Sequence, residues 1–248
     1  MELPQGSGVE VKMKFLSLDS PLMQGLGKMA DLMWLNVLTL ICCLPVVTVG
    51  ASLTAMNYMA LKIARNEECY ITRGFFKSFK ENFRQATLIW LIILAVIAVL
   101  VGDFLIMGSS AAEFGALFRG VITAAAVLVV FTCMYVFPVL AKFENSIFRT
   151  LKNAFLMSLM QFPKTILMII MYAVPLVVFF FVLQLMPLSL LFGLSAPAWG
   201  SAKLYNKLFK KLEDQILEAS APEGEPEEDE RIFRDELDPA LENYDKNQ

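Results

Sequence analysis

The sequence predicts an all-α, polytopic membrane protein with about six transmembrane helices and two cytoplasmic amphipathic helices. Composition is the first reason: 57% of the 248 residues are hydrophobic and only 18% are charged, too apolar for a surface bathed in water. The second is the length of the uncharged runs. Residues 32–61, 85–102, 120–141 and 165–202 carry no charge over 30, 18, 22 and 38 residues, where about 20 apolar residues suffice to cross a bilayer as a helix. The third is the segregation of charge. Residues 1–212 hold 18 Lys and Arg against 10 Asp and Glu, a net of +8, whereas residues 213–248 hold 3 against 14, a net of −11.

Residues 1–12 are polar and lack the apolar run of a cleaved signal, so a disordered lead is expected there. The membrane domain is placed at 13–212. It opens with an amphipathic stretch from Met13 in which Asp19, Ser20 and Pro21 read as a helix start. The uncharged run between Asp31 and Lys62 is broken by Pro45 and Gly50. It therefore reads as a hairpin of two short arms, each about 22 Å long, and its turn either reaches the outer surface or stops within the lipid. Residues 64–85 are rich in both charge and Phe. Phe75, Phe76, Phe79 and Phe83 recur at helical spacing with Lys77, Lys80 and Arg84 opposite, the pattern of a helix lying flat on the membrane surface.

Runs 85–102 and 120–141 are one span each. Between 142 and 164 a second basic and aromatic stretch follows, in which Phe148, Arg149, Lys152 and Phe155 lie 72 residues after Phe76, Lys77, Lys80 and Phe83. A unit of span, surface helix and span is thus repeated weakly; a chance likeness of two amphipathic helices is the other reading. Residues 165–202 suffice for two spans turning at Gln184–Pro187. Beyond them, 213–248 is acidic, contains proline and is poor in apolar residues, so a disordered cytoplasmic tail is expected.

Orientation follows from the cations, because Lys and Arg in short loops stay on the cytoplasmic side. With six spans, 17 of the 18 basic residues before the tail fall on the inner side and only Arg119 falls outside. A bacterial cell membrane with both termini cytoplasmic is the expected setting.

Chemistry is limited by what is missing. There is no histidine, so no His-based general base, nucleophile pair or imidazole metal site exists. The four cysteines, Cys42, Cys43, Cys69 and Cys133, show no CxxC spacing. No Asp, Glu, Lys or Arg occupies a span centre, which disfavours ion coupling, and no phosphate loop or GxSxG elbow is present. Catalytic residues, cofactors, metal ligands and a nucleic-acid surface are all expected to be absent. Two groups remain as candidate sites. Pro45, Gly50, Ser52 and Asn57 in the hairpin are echoed by Gly193 and Ser195 in the last span, where Gly-x-Ser-x-x-Ala recurs. Such residues either allow close helix approach or form paired interrupted helices that present polar groups to a ligand, as in transporters. The second group is the partner or lipid surface formed by Phe75, Phe76, Lys77, Phe79, Lys80, Phe83, Phe148, Arg149, Lys152 and Phe155.

The stretches MKFLSLDSPLMQGLGKMADLMWLN, LPVVTVGASLTAMNY and ITRGFFKSFKENFRQATLIW resemble the YesL-like family of bacterial integral membrane proteins over about residues 13–212. That resemblance implies a polytopic membrane protein without an established activity, in a family often encoded beside genes for carbohydrate uptake and polysaccharide degradation. The expectation is a non-enzymatic accessory or regulatory membrane protein linked to carbohydrate uptake and utilisation. It would contact lipid, transporter subunits or other membrane proteins through its basic and aromatic helices. The alternative is a sugar or oligosaccharide permease built on the interrupted helices at 45–57 and 193–201.

Overall fold

In a solvent without water a chain must satisfy its backbone internally, and helix is the simplest way for one segment to do so. The computed structural model describes residues 21–67, 70–108 and 116–220. They form α1 (Pro21–Cys43), a 3-10 turn (Val46–Thr48), α2 (Val49–Arg65), α3 (Ile71–Gly108), α4 (Ala116–Lys142), α5 (Ile147–Met160) and α6 (Phe162–Phe181). A second 3-10 turn (Leu183–Leu185), α7 (Met186–Phe192) and α8 (Ser195–Ser220) follow. No strand occurs among the described residues. Five stretches are long and apolar enough to cross a membrane: Leu22–Cys43, Val46–Arg65, Ile71–Ile106, Leu117–Lys142 and Phe162–Phe181. The protein is a polytopic, all-α membrane protein.

Residues up to Asn206 make one compact unit and those from Lys207 a second. The described part of the second is the last stretch of α8, so residues 213–220 of the expected disordered tail are helical. The lead at 1–12 and the tail beyond 220 lie outside the described residues.

Within the first unit α2 is the central helix. Eleven of its residues are buried, most of them small or unbranched: Gly50, Ala51, Ser52, Thr54, Ala55, Met56, Asn57, Met59, Ala60, Leu61 and Ile63. Of these, Ala55, Met56, Met59, Ala60 and Ile63 share one hydrophobic cluster with Leu32, Leu35 and Leu38 of α1, Ile71 and Phe75 of α3, and Ala198 of α8. Its C-terminus is closed by Asn66 in the left-handed conformation at φ 58°, whose N–H bonds to Ile63 O, a common way of capping a helix end.

Three expectations are corrected. The charged and aromatic segment at 64–85 does not make a separate surface helix. From Ile71 it runs without a break into the following span as the 38-residue α3, about 57 Å long. The cause lies in its inward stripe: buried Ile71, Phe75, Ser78, Ala86, Ile89 and Ile93, with half-buried Asn82 between Ser78 and Ala86, recur at intervals of three and four along one face, and one continuous helix keeps that stripe against its neighbours.

Nor does α5 lie apart on the surface. It buries only the small residues Thr150, Ala154 and Ser158, which let it pack closely along α4, and its Leu151 and Phe155 reach Ile92, Val96 and Leu128 midway along α3 and α4. The two proposed repeat copies therefore differ: one continues into its span, and the other stops at Met160. Finally, the second half of the run at 165–202 is not one span. It turns at Leu183–Leu185, near the expected position, but is interrupted again between Phe192 and Ser195.

Gly50 sets how closely α2 approaches α3. A Cβ there would lie 2.5 Å from the Ala86 carbonyl oxygen and 2.7 Å from the Trp90 Cβ, inside contact distance of backbone that cannot rotate away. The α1–α2 turn is fastened at the same place, since the Trp90 indole N–H donates to Val46 O at 2.8 Å. This settles where the hairpin turn meets its neighbour: beside residues 86–90, at the start of the uncharged run of α3 and far from the Gly108 end. Gly50→Ala is expected to lower stability by about 1–3 kcal/mol through overpacking, measured by thermal unfolding in detergent. Gly25→Ala, in open space inside α1, is expected instead to raise it by about 0.5–1 kcal/mol through helix propensity.

Candidate functional site

An interrupted helix in lipid leaves N–H and C=O groups that something must satisfy. At the break between α7 and α8 that partner is one side chain, Asn36 of α1. Its Oδ1 accepts from the N–H groups of Leu194 and Ser195, both at 2.9 Å, and its Nδ2 donates to Leu190 O at 2.7 Å. The amide suits the task because it alone among short neutral side chains offers an acceptor and a donor from one planar group. It is 1% exposed. Nearby, the Ser189 hydroxyl donates to Pro175 O at 2.8 Å and anchors α7 on α6.

The first interruption is closed in the same manner. The Thr48 hydroxyl donates to Cys42 O at 2.6 Å and lies 2.8 Å from Pro45 O, while Val46 O receives the Trp90 indole. Side chains of this chain thus engage carbonyls at the first turn, and a carbonyl and two N–H groups at the second. Pro45 stands at the exposed turn, Gly50 at the contact with α3, and Ser52 and Ser195 are buried. Ala55 of the first motif and Ala198 of the second share one hydrophobic cluster, so the two Gly-x-Ser-x-x-Ala segments meet at close quarters. Gly193 is held within its own turn, its N–H bonding to Ser189 O at 2.7 Å.

Asn57 differs. Its Nδ2 donates to Leu53 O one turn back, at 2.8 Å, but its Oδ1 has no hydrogen-bond partner although the residue is only 5% exposed. It borders a cavity of about 270 Å³ whose other walls include Trp90, Cys133, Phe137, Tyr172 and Leu194.

The surface candidates divide. Phe75 is fully buried in the core, stacked on Phe79 at 6.2 Å between ring centres, so it is not a surface contact. Phe79 and Phe83 are half-buried and in ring contact at 5.5 Å. Phe76, Lys77 and Lys80 point outward on α3, as do Phe148, Arg149 and Lys152 on α5, with Phe148 84% exposed. Phe155 is partly exposed and borders the depression between α3 and α4. Gln85 Nε2 donates to Asn145 O at 2.5 Å, which holds the start of α5 beside the charged end of the α3 span.

The sequence reading missed two features. Nothing local sets Asn36 apart from the other uncharged residues of the hairpin, because its partners are backbone atoms more than 150 residues away. Arg65, whose Nε donates to Asn206 Oδ1 at 2.8 Å and whose side chain is 10% exposed, was counted among inner-side cations, but nothing in its local sequence marks it as buried.

Residues 32–104 match the family described as "Protein of unknown function, DUF624". The DUF624 segment thus covers α1 from Leu32, all of α2 and α3 as far as Phe104, and so contains Asn36, Gly50 and Asn57. No curated protein and no solved structure matches the chain.

Asn36→Leu is expected to leave Leu194 N–H, Ser195 N–H and Leu190 C=O without their partner. At about 1–3 kcal/mol for each buried unpaired group, the loss should be several times that of a surface substitution. Thermal unfolding in detergent, with Gln215→Leu at an exposed position as the comparison, reads it directly; a loss under about 1 kcal/mol would contradict the assigned role.

Proposed function

We propose that this chain is a non-enzymatic accessory or regulatory protein of the bacterial cell membrane, which contacts a membrane partner through the outward faces of α3 and α5 at their charged ends. One observation carries the reading. Helix α5 turns small residues inward and leaves Phe148 exposed beside Arg149 and Lys152, the reverse of a helix evolved only to fill a core. Phe76, Lys77 and Lys80 present similar chemistry on α3. A basic, aromatic surface at a membrane boundary fits an acidic segment of a partner set among anionic lipid headgroups, each cation contributing about 1 kcal/mol near such a surface.

The side is assigned by charge. The Gln85–Asn145 bond gathers Arg84, Lys142 and Arg149 near one end of the α3–α4 pair, and such ends stay cytoplasmic. The link to carbohydrate uptake, with a transporter subunit as partner, rests on the YesL-like resemblance.

A sugar permease is the competing reading, and Asn57 at its cavity is what favours it. Against it stand the apolar walls, since a sugar has many hydroxyls and each one buried without a partner costs about 1–3 kcal/mol. The two interrupted turns also have groups already bonded within the chain.

Charge reversal at Lys77, Lys80, Arg149 and Lys152 together is expected to abolish recovery of a transporter subunit with the tagged protein from native membranes. The same variant should keep its thermal stability, because these residues are exposed. Undiminished recovery would count against the proposal, and so would saturable sugar flux in proteoliposomes lost on Asn57→Leu. For the sidedness, Lys152→Cys in a chain lacking its four native cysteines is expected to resist a membrane-impermeant maleimide in intact cells and to react once the cells are opened.

A further inference from the structure

Between α3, α4 and α5 lies a groove of about 250 Å³ with apolar walls, lined among others by Ile92 and Val96 of α3, Leu128 and Val136 of α4, and Leu151 and Phe155 of α5. Ile92, Val96 and Leu128 are exposed at its rim, so it opens where the uncharged runs of α3 and α4 meet hydrocarbon. Thr132 carries the hydroxyl of its walls and spends it on its own helix, donating to Leu128 O at 2.7 Å.

One end of this groove is basic. Leu151 and Phe155 reach into it from α5, and Phe148 and Lys152 lie on the same side of that helix, three and four residues from them. Both Phe148 and Lys152 are exposed. Helix α5 starts at the Gln85–Asn145 bond, about two turns before Ile92 on α3. Its Arg149 and Lys152 therefore lie toward the charged ends of α3 and α4, and its Phe155 lies deeper along the apolar run. Neither cation makes an ion pair among the described residues. A lysine stem lies along apolar surface while its ammonium reaches toward water, which puts the Lys152 charge at headgroup level above the groove.

The chemistry of the occupant follows from that order, a cation first and then an apolar hollow leading into the bilayer. A sugar finds no partners on such walls, and each hydroxyl buried there carries the cost of an unpaired polar group. A peptide segment would bring backbone N–H and C=O groups to the same place. An acyl chain brings no polar group, and the bilayer supplies it through the open side.

We propose that the groove between α3, α4 and α5 holds one acyl chain of an anionic phospholipid whose phosphate pairs with Lys152. Arg149 adds a second positive charge at that end. The site shares Lys152 with the surface proposed for a membrane partner, but it does not rest on that reading, because Ile92, Val96 and Leu128 take no part in it.

The test uses the full chain in detergent, with a phosphatidylglycerol that carries a photoactivatable diazirine midway along one acyl chain. Crosslinks, located by peptide mass spectrometry, are expected to concentrate at Val96, Leu128 and Phe155. Unlabelled dioleoylphosphatidylglycerol should suppress them at about fivefold lower concentration than dioleoylphosphatidylcholine, the effect of one cation beside an anionic lipid. In Lys152→Gln that difference should vanish while the crosslinked positions stay the same. Val96→Trp, which fills the groove from its exposed rim, should lose the crosslinks, whereas Val99→Trp, 65% exposed and outside the lining, should keep them. Val96→Trp leaves Lys77, Lys80, Arg149 and Lys152 in place, so it is expected to recover a transporter subunit as the wild type does, which separates this site from the partner surface.

Should Val96→Trp fail to fold, the wild-type crosslink map and the competition decide alone. Crosslinks spread evenly over the exposed faces of α3, α4 and α6, as boundary lipid without a site would give, overturn the proposal. So do equal competition by the two lipids, a preference that survives in Lys152→Gln, or crosslinks that persist in a folded Val96→Trp.

Discussion

The fold depends on the backbone of α7 and α8 being completed by a side chain from α1. A helix that stops inside a membrane and restarts three residues later leaves donors and acceptors facing hydrocarbon, and each would cost more than a single packing contact returns. Asn36 meets three of these groups with one planar amide. Because its partners lie at the far end of the chain, the bond holds the first described helix to the last and fixes the register between them. The Asn36 amide thus links a region inside the DUF624 match to one outside it.

Around that link the packing follows from small side chains. Gly50 lets α2 lie against α3 with backbone nearly touching, and Thr150, Ala154 and Ser158 do the same for α5 on α4. Gly200 leaves room for the end of the Met171 side chain, which a Cβ would displace. In lipid there is little hydrophobic gain in joining two apolar helices, so close approach and hydrogen bonding must supply the attraction. Three buried threonines serve this by bonding back to their own helices: Thr54 to Gly50 O, Thr39 to Leu35 O and Thr165 to Gln161 O. They can then be buried without unpaired groups.

The same logic separates the three polar features of the membrane region. Asn36 and Thr48 are consumed by structure, since their hydrogen bonds close gaps in the backbone. Asn57 is half used: its donor supports its own helix, and its buried acceptor has no partner. Phe76, Lys77 and Lys80 on α3 and Phe148, Arg149 and Lys152 on α5 are exposed and stand outside the core. An amide that completes the backbone, an amide with one unpaired atom and an exposed basic and aromatic surface thereby coexist on neighbouring elements for different physical reasons.

The sequence by itself determined the solvent, the helical class and the position of the breaks. Long uncharged runs cannot be stable in water, and helices stop at Pro45 and at the turn near Gln184, whereas Gly50 lies inside α2. It also marked Asn57 as a polar residue in an apolar run. Only the tertiary structure decided what each amphipathic stripe faces. Helical periodicity places Phe75 and Phe76 within one pattern, yet only Phe75 enters the core, because the face that meets α1 and α2 is set by packing and not by spacing. Likewise the continuity of α3, the leaning of α5 on α4 and the reach of Asn36 to Leu194 depend on contacts between residues far apart in the chain, and a local pattern carries no record of them.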